Sequence, residues 1–175
     1  MSKKKEFLKA EFWMLSWNGS VQHAGLYKKN SKEKDRRTFR REIIAYIEKE
    51  LLPKYKNKVT SKIHCKNIED LSKKGSELES GKKVLKDKYK IGVAQKLLNL
   101  QLKYLWCRGK VERPPHCPVD RVIIDKTKHK GTAWTKIKSI EQYKEVIQSI
   151  EEVQEESGIS SLSEWELKNF ERPSA

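Results

Sequence analysis

A chain of 175 residues is long enough for one hydrophobic core and short for two. Its 39 Lys and Arg outnumber 24 Asp and Glu, for a net charge of +15 and a pI near 9.7. That imbalance exceeds what solubility needs and points to a polyanionic partner. No run of about 18 apolar residues occurs and no apolar stretch follows the basic start, so no membrane span, no secretory leader and a cytoplasmic single domain over 1–175 are expected.

The charge is unevenly placed. From Ser139 onward nine Glu stand against Lys144, Lys168 and Arg172, a net of −6, so the preceding residues carry +21. This asymmetry suggests a basic face with an acidic back, although a lysine-rich proteome inflates Lys without any function. Cys65, Cys107 and Cys117 are odd in number and form no CxxC pair, so free thiols in a reducing compartment are expected.

In chain order, residues 1–35 form an aromatic and basic N-terminal segment, read as a short helix followed by an ordered loop at Asn18-Gly19-Ser20. Over 36–52 the apolar residues Phe39, Ile43, Ile47 and Leu51 recur at helical spacing, and Pro53 ends the helix. Arg36, Arg37, Arg40 and Arg41 fall in its first two turns, where cations oppose the helix dipole; they mark either a phosphate contact or a solvated face. Residues 54–90 are weakly periodic, with a short helix over 63–71 and a loop around 75–81.

Residues 91–107 are the most apolar stretch and read as the central buried helix. The connector 108–118 holds Pro114, Pro115 and Pro118, so it is not helical, and a short helix begins near Asp120. Ser139-x-x-Gln142 is a capping box ahead of a clean apolar stripe, and Ser161-x-x-Glu164 starts a last helix; both belong to the acidic segment 139–170. With no convincing strand pattern, the expected fold is an all-α compact helical bundle.

Candidate chemistry clusters in 91–125, a helix-loop-helix. Gly92-Val93-Ala94-Gln95-Lys96 opens the central helix, and Pro118-Val119-Asp120-Arg121-Val122-Ile123 opens the next. A lysine held in a partly dry site can lose its proton and act as a nucleophile, and a carboxylate beside it stabilises developing positive charge. The plain alternatives are a polar helix stripe shared by Lys96, Asn99 and Lys103, and an ordinary N-cap role for Asp120.

These two segments resemble the G-V-G-x-K turn and the V-D-x-x-[VI] segment of the helix-hairpin-helix DNA glycosylases, and the chain looks most like the archaeal 8-oxoguanine branch of the 8-oxoguanine glycosylase fold. The resemblance covers about thirty residues, Ala94 replaces the second glycine, and no L-P-G precedes Gly92. It implies a DNA glycosylase acting on a damaged or modified base, with Lys96 as nucleophile and Asp120 stabilising the sugar cation. A partner nucleic acid, DNA rather than RNA, would be met by Gly92, Gln95, the four arginines, Trp17 beside the Asn18-Gly19 turn, and Trp134 in the lysine-rich loop 126–138.

His64-Cys65, His116-Cys117 and Cys107 fit no zinc-motif spacing, so no metal and no cofactor are expected; His116 could orient Asp120 or touch a phosphate. Two other functions remain open: a non-catalytic DNA- or RNA-binding module, for instance in phage–host conflict, and an adaptor that docks through the acidic helix 141–156.

Overall fold

The computed structural model describes residues 2–170, and these fold entirely as helices and connecting loops, with a single isolated bridge between Tyr27 and Leu85. Its long helices are α1 (Lys3–Val21), α2 (Glu33–Tyr46), α3 (Ser61–Glu77), α5 (Ile91–Cys107) and α7 (Ile140–Glu156). The shorter ones are α4 (Glu79–Val84), α6 (Arg121–Ile124) and α8 (Leu162–Asn169). Around α5, the expected central helix, α1, α3, α7 and the turn at Trp134–Lys136 all pack, because its face from Ile91 to Leu102 is apolar and almost wholly buried. No helix among the described residues is long and apolar enough to cross a membrane.

Three local expectations are corrected. Asn18-Gly19-Ser20 is not a turn but the last part of α1, which buries Trp13, Ser16, Trp17 and Ser20 at i, i+3, i+4, i+7 spacing. Gly19 allows the close approach: a Cβ there would lie 2.9 Å from Leu100 of α5. The chain reverses later, where His23 and Gly25 adopt positive φ.

The arginine-bearing helix starts three residues earlier than expected, at Glu33. Glu33 and Asp35 occupy its first turn and complement the dipole, so the four arginines do not oppose it. Phe39, Ile43, Ile47 and Leu51 form its fully buried stripe, which continues through one π-helical turn (Ile47–Leu51) and a 3₁₀ segment (Leu52–Lys56) that accommodates Pro53 near its start.

The loop expected at 75–81 is instead the junction of α3 and α4. Here glycine serves helix contact: a Cβ on Gly81 would come within 2.2 Å of the Gly75 carbonyl oxygen, and one on Gly75 within 2.6 Å of the Tyr89 ring. Composition alone reads two such glycines as a break; the packing uses them as a crossing point.

A buried polar network ties α3, α5, α7 and the proline-rich connector together. Tyr55 Oη lies 2.6 Å from His64 Nδ1, and His116 makes contacts of 2.7 Å to Ser61 Oγ and 3.0 Å to Tyr143 Oη. Asn99 Nδ2 donates to Tyr143 Oη, and the two imidazoles meet edge to face with centroids 4.8 Å apart. Burial holds both rings neutral, pushing His64 well below the ordinary histidine value and His116 down to about 4.

The unfolded chain therefore takes up these protons first, so stability is full above about pH 6.5 and is lost as pH falls toward the folded value. For His116 alone the loss between pH 7 and pH 5 is roughly 2 kcal/mol, or about 4–8 °C in melting temperature. Thermal melts of wild type and His116→Gln at the two pH values check this: the acid-induced drop is smaller in the variant.

Candidate active site

Residues at the start of α5 anchor everything around the site. The Gly92 N–H donates to the Ile137 carbonyl at 3.0 Å, and a Cβ at Gly92 would fall 2.0 Å from the Trp134 carbonyl oxygen. Only glycine lets the segment carrying Trp134 lie against this helix end. One turn on, the fully buried Gln95 donates from Nε2 to the Val119 carbonyl at 2.7 Å and accepts at Oε1 from the Val119 N–H at 3.2 Å. This two-point clamp fixes the backbone immediately before Asp120.

Asp120 then divides its carboxylate between two tasks. Oδ1 accepts the Ile123 N–H at 3.1 Å and caps α6, while Oδ2 lies 3.7 Å from the Lys96 ammonium. The lysine and aspartate side chains are only 12% and 14% exposed. Trp134 completes the arrangement: the Lys96 Nζ sits 4.3 Å from its ring centroid, on the face of a largely buried indole.

Burial lowers the Lys96 pKa, and the attraction of Asp120 opposes that shift without cancelling it. At 3.7 Å the carboxylate is beyond good charge-assisted hydrogen-bond distance. The amine is thus close to a negative charge, poorly hydrated, and not locked to its neighbour. That combination suits a group that must shed a proton and attack.

Lys96, Asp120 and Trp134 converge; the other sequence-derived candidates do not join them in that way. Gly92 and Gln95 are corrected from nucleic-acid contacts to positioning residues, because the Gly92 N–H and the Gln95 amide are spent inside the fold. Trp17 is likewise corrected: it is a core residue, packed edge-on against Phe39 with Arg40 above its ring.

The four arginines lie on α2, which packs on α3 and α4, whereas the lysine–aspartate pair lies between α5, α6 and the Trp134 turn. Arg36 is folded back onto Tyr27 and the hydroxyl of Ser31, and Arg37 pairs with Glu33 at 3.6 Å. Arg41 is exposed. His116 does not orient Asp120, since its two nitrogens face Ser61 and Tyr143. Among the described residues no group of three or more His, Cys, Asp or Glu side chains is placed to hold a metal ion.

Sequence reasoning overlooked a second lysine–carboxylate pair on the same helix. Lys103 lies two turns beyond Lys96; its ammonium is 2.8 Å from Glu166 of α8, with side-chain exposures of 13% and 2%, and rests on the Phe170 ring. The i, i+7 spacing of the lysines was visible, but nothing local connects Lys103 with a glutamate in the acidic tail.

Gly92→Ala tests the assembly. The added methyl must displace the Trp134 backbone and break the Gly92–Ile137 hydrogen bond, at a cost of about 3 kcal/mol. The expected result is a lowered melting temperature and a changed tryptophan emission; an unchanged melt would contradict this packing.

Taken together, fold and site define an all-helical protein with a buried lysine–carboxylate pair under an indole. No family model matches the chain, and no curated protein or solved structure compared with it matches either.

Proposed function

We propose that this protein is a DNA N-glycosylase of the lysine–aspartate type, related to the helix-hairpin-helix enzymes of the 8-oxoguanine fold, acting on a damaged or modified base. The observation that carries the reading is the Lys96 ammonium held 3.7 Å from the Asp120 carboxylate in a mostly dry site, from segments 24 positions apart. The net charge of +15 supports a phosphate-rich partner.

In the reaction the unprotonated Lys96 amine donates its lone pair to the sugar C1′. The C1′–N glycosidic bond breaks, its electron pair leaves with the base, and the base takes up a proton. Asp120 lowers the energy of the positive charge that grows on the sugar. The attacking nitrogen gives up its extra proton, the sugar ring opens, and a protonated Schiff base joins Lys96 to C1′. Trp134 shields the amine from water.

Borohydride tests the step directly, because hydride addition to the Schiff-base carbon leaves a stable secondary amine between protein and DNA. The expected result is a covalent adduct with DNA carrying the substrate base, mapped to Lys96 by peptide mass. An adduct mapped elsewhere would sink the assignment.

A second reading, recognition of a modified base without catalysis, is favoured by one observation. The indole covers the lysine, and an open hollow of about 690 Å³ lies elsewhere, lined by residues such as Trp106 and Lys110. Retained DNA binding with no adduct and no base release on any lesion tested would select it.

A further inference from the structure

At the opposite end of α5 from Lys96 lies an open cleft of about 690 Å³. It forms where two segments meet: the Glu112 N–H donates to the Tyr55 carbonyl at 2.8 Å, bringing the connector after α5 against the end of the 3₁₀ segment. Lys56 and Lys58 line it from one side, Lys110 and Arg113 from the other, and the half-buried Trp106 forms part of its wall. Arg113 is paired with Glu164 at 3.1 Å. Lys56, Lys58 and Lys110 are exposed and form no ion pair among the described residues.

We propose that this cleft is a binding site for single-stranded nucleic acid, with the Trp106 ring stacking a base and Lys56, Lys58 and Lys110 contacting the flanking phosphates. Lys56, Lys58, Lys110 and Arg113 stand against the carboxylates of Glu112 and Glu164 around this hollow, and the cationic excess attracts a polyanion. The aromatic wall chooses among polyanions. A duplex keeps its base faces stacked inside, out of reach of a ring set into a cleft wall, whereas a single strand can splay a base onto it. An acidic peptide would satisfy the lysines but has no comparable flat partner for the indole.

Trp106 follows Lys96 by ten residues, about 15 Å along the helix axis, so this surface is separate from the Lys96 site. The inference takes the ligand class from the nucleic-acid reading above but does not depend on any chemistry at Lys96.

The test is fluorescence anisotropy with a labelled thymidine oligonucleotide of about 12 nucleotides, its uridine RNA counterpart, and the same DNA strand annealed to its complement, over roughly 50–200 mM salt. Wild type is expected to bind the single strands more tightly than the duplex. The combined variant Lys56→Gln/Lys58→Gln/Lys110→Gln should bind at least about tenfold more weakly, with a salt slope shallower by about 2. Trp106→Ala should lose roughly ten- to a hundredfold and Trp106→Phe much less. The borohydride adduct at Lys96 is scored separately from anisotropy, so a failure of the cleft and a failure of the proposed chemistry are told apart.

The lysine variant changes only exposed side chains, so it remains informative even if Trp106→Ala fails to fold. Unaltered affinity and salt slope in the lysine variant would overturn the proposal. So would a preference for duplex, equal competition by polyglutamate, or no binding by wild type.

Discussion

Lys96→Gln is expected to abolish the borohydride-trapped adduct and to slow base release by a factor of about 10² or more, while the protein melts no lower than wild type. The kinetic loss follows because glutamine has no basic lone pair to form the C1′–N bond. The stability result follows from the direction of the lysine's pKa. Burial lowers it, so the unfolded chain holds that proton more tightly and the buried ammonium counts against folding at neutral pH. Replacing it with a neutral side chain removes that cost, and Asp120 keeps its capping bond to Ile123.

Asp120→Asn separates the two roles. The amine survives, so an adduct still forms, but about 10²–10³-fold more slowly because charge on the sugar is no longer stabilised. The rate of attack rises with pH until the amine is deprotonated. Asp120 is the influence that raises the Lys96 pKa, so its removal should move this limb to lower pH even as the maximum rate falls. Single-turnover rates across pH decide it: a limb that stays in place, or moves up, means the carboxylate does not act on the amine.

Lys103→Met is expected to destabilise the fold by about 3–5 kcal/mol, on the order of 10 °C in melting temperature, without changing the chemistry at Lys96. It leaves Glu166, almost completely buried, without its cation. Pairing the change with Glu166→Gln should restore much of the loss, since a neutral amide costs far less to bury. Burial already raises the Glu166 pKa and Lys103 holds it down, so the variant's deficit relative to wild type should shrink as pH falls and Glu166 becomes neutral. A deficit that is independent of pH and not relieved by the second change would show that packing, including the contact with Phe170, matters more than charge.

The two lysines show how far residue type alone can mislead. Lys96 and Lys103 share a helix face, each has a carboxylate nearby and an aromatic ring face against its ammonium, yet one pair stands at 3.7 Å and the other at 2.8 Å. What distinguishes them is the backbone of the partner. Asp120 is held by the Gln95 clamp and its capping bond, whereas Glu166 reaches in from a separate helix. Trp134 was legible as a candidate because it lies in a lysine-rich loop, but its place over Lys96 depends on Gly92 admitting a backbone 2.0 Å from where a Cβ would be.

Local sequence determined the elements that depend on nearest neighbours. The span of α5, the Ser139 and Ser161 caps, the Asp120 cap and the non-helical proline connector all follow from periodicity, capping hydroxyls and missing N–H donors within a few residues. Tertiary structure decided what the small and polar residues do. It made Gly19, Gly75 and Gly81 points of helix contact instead of breaks, turned Trp17 inward, and paired His64 with His116 and Lys103 with Glu166. The physical reason is that a glycine's closeness to another backbone, or a buried charge's partner, is set by segments tens of residues away, and no window of sequence contains both sides of such a contact.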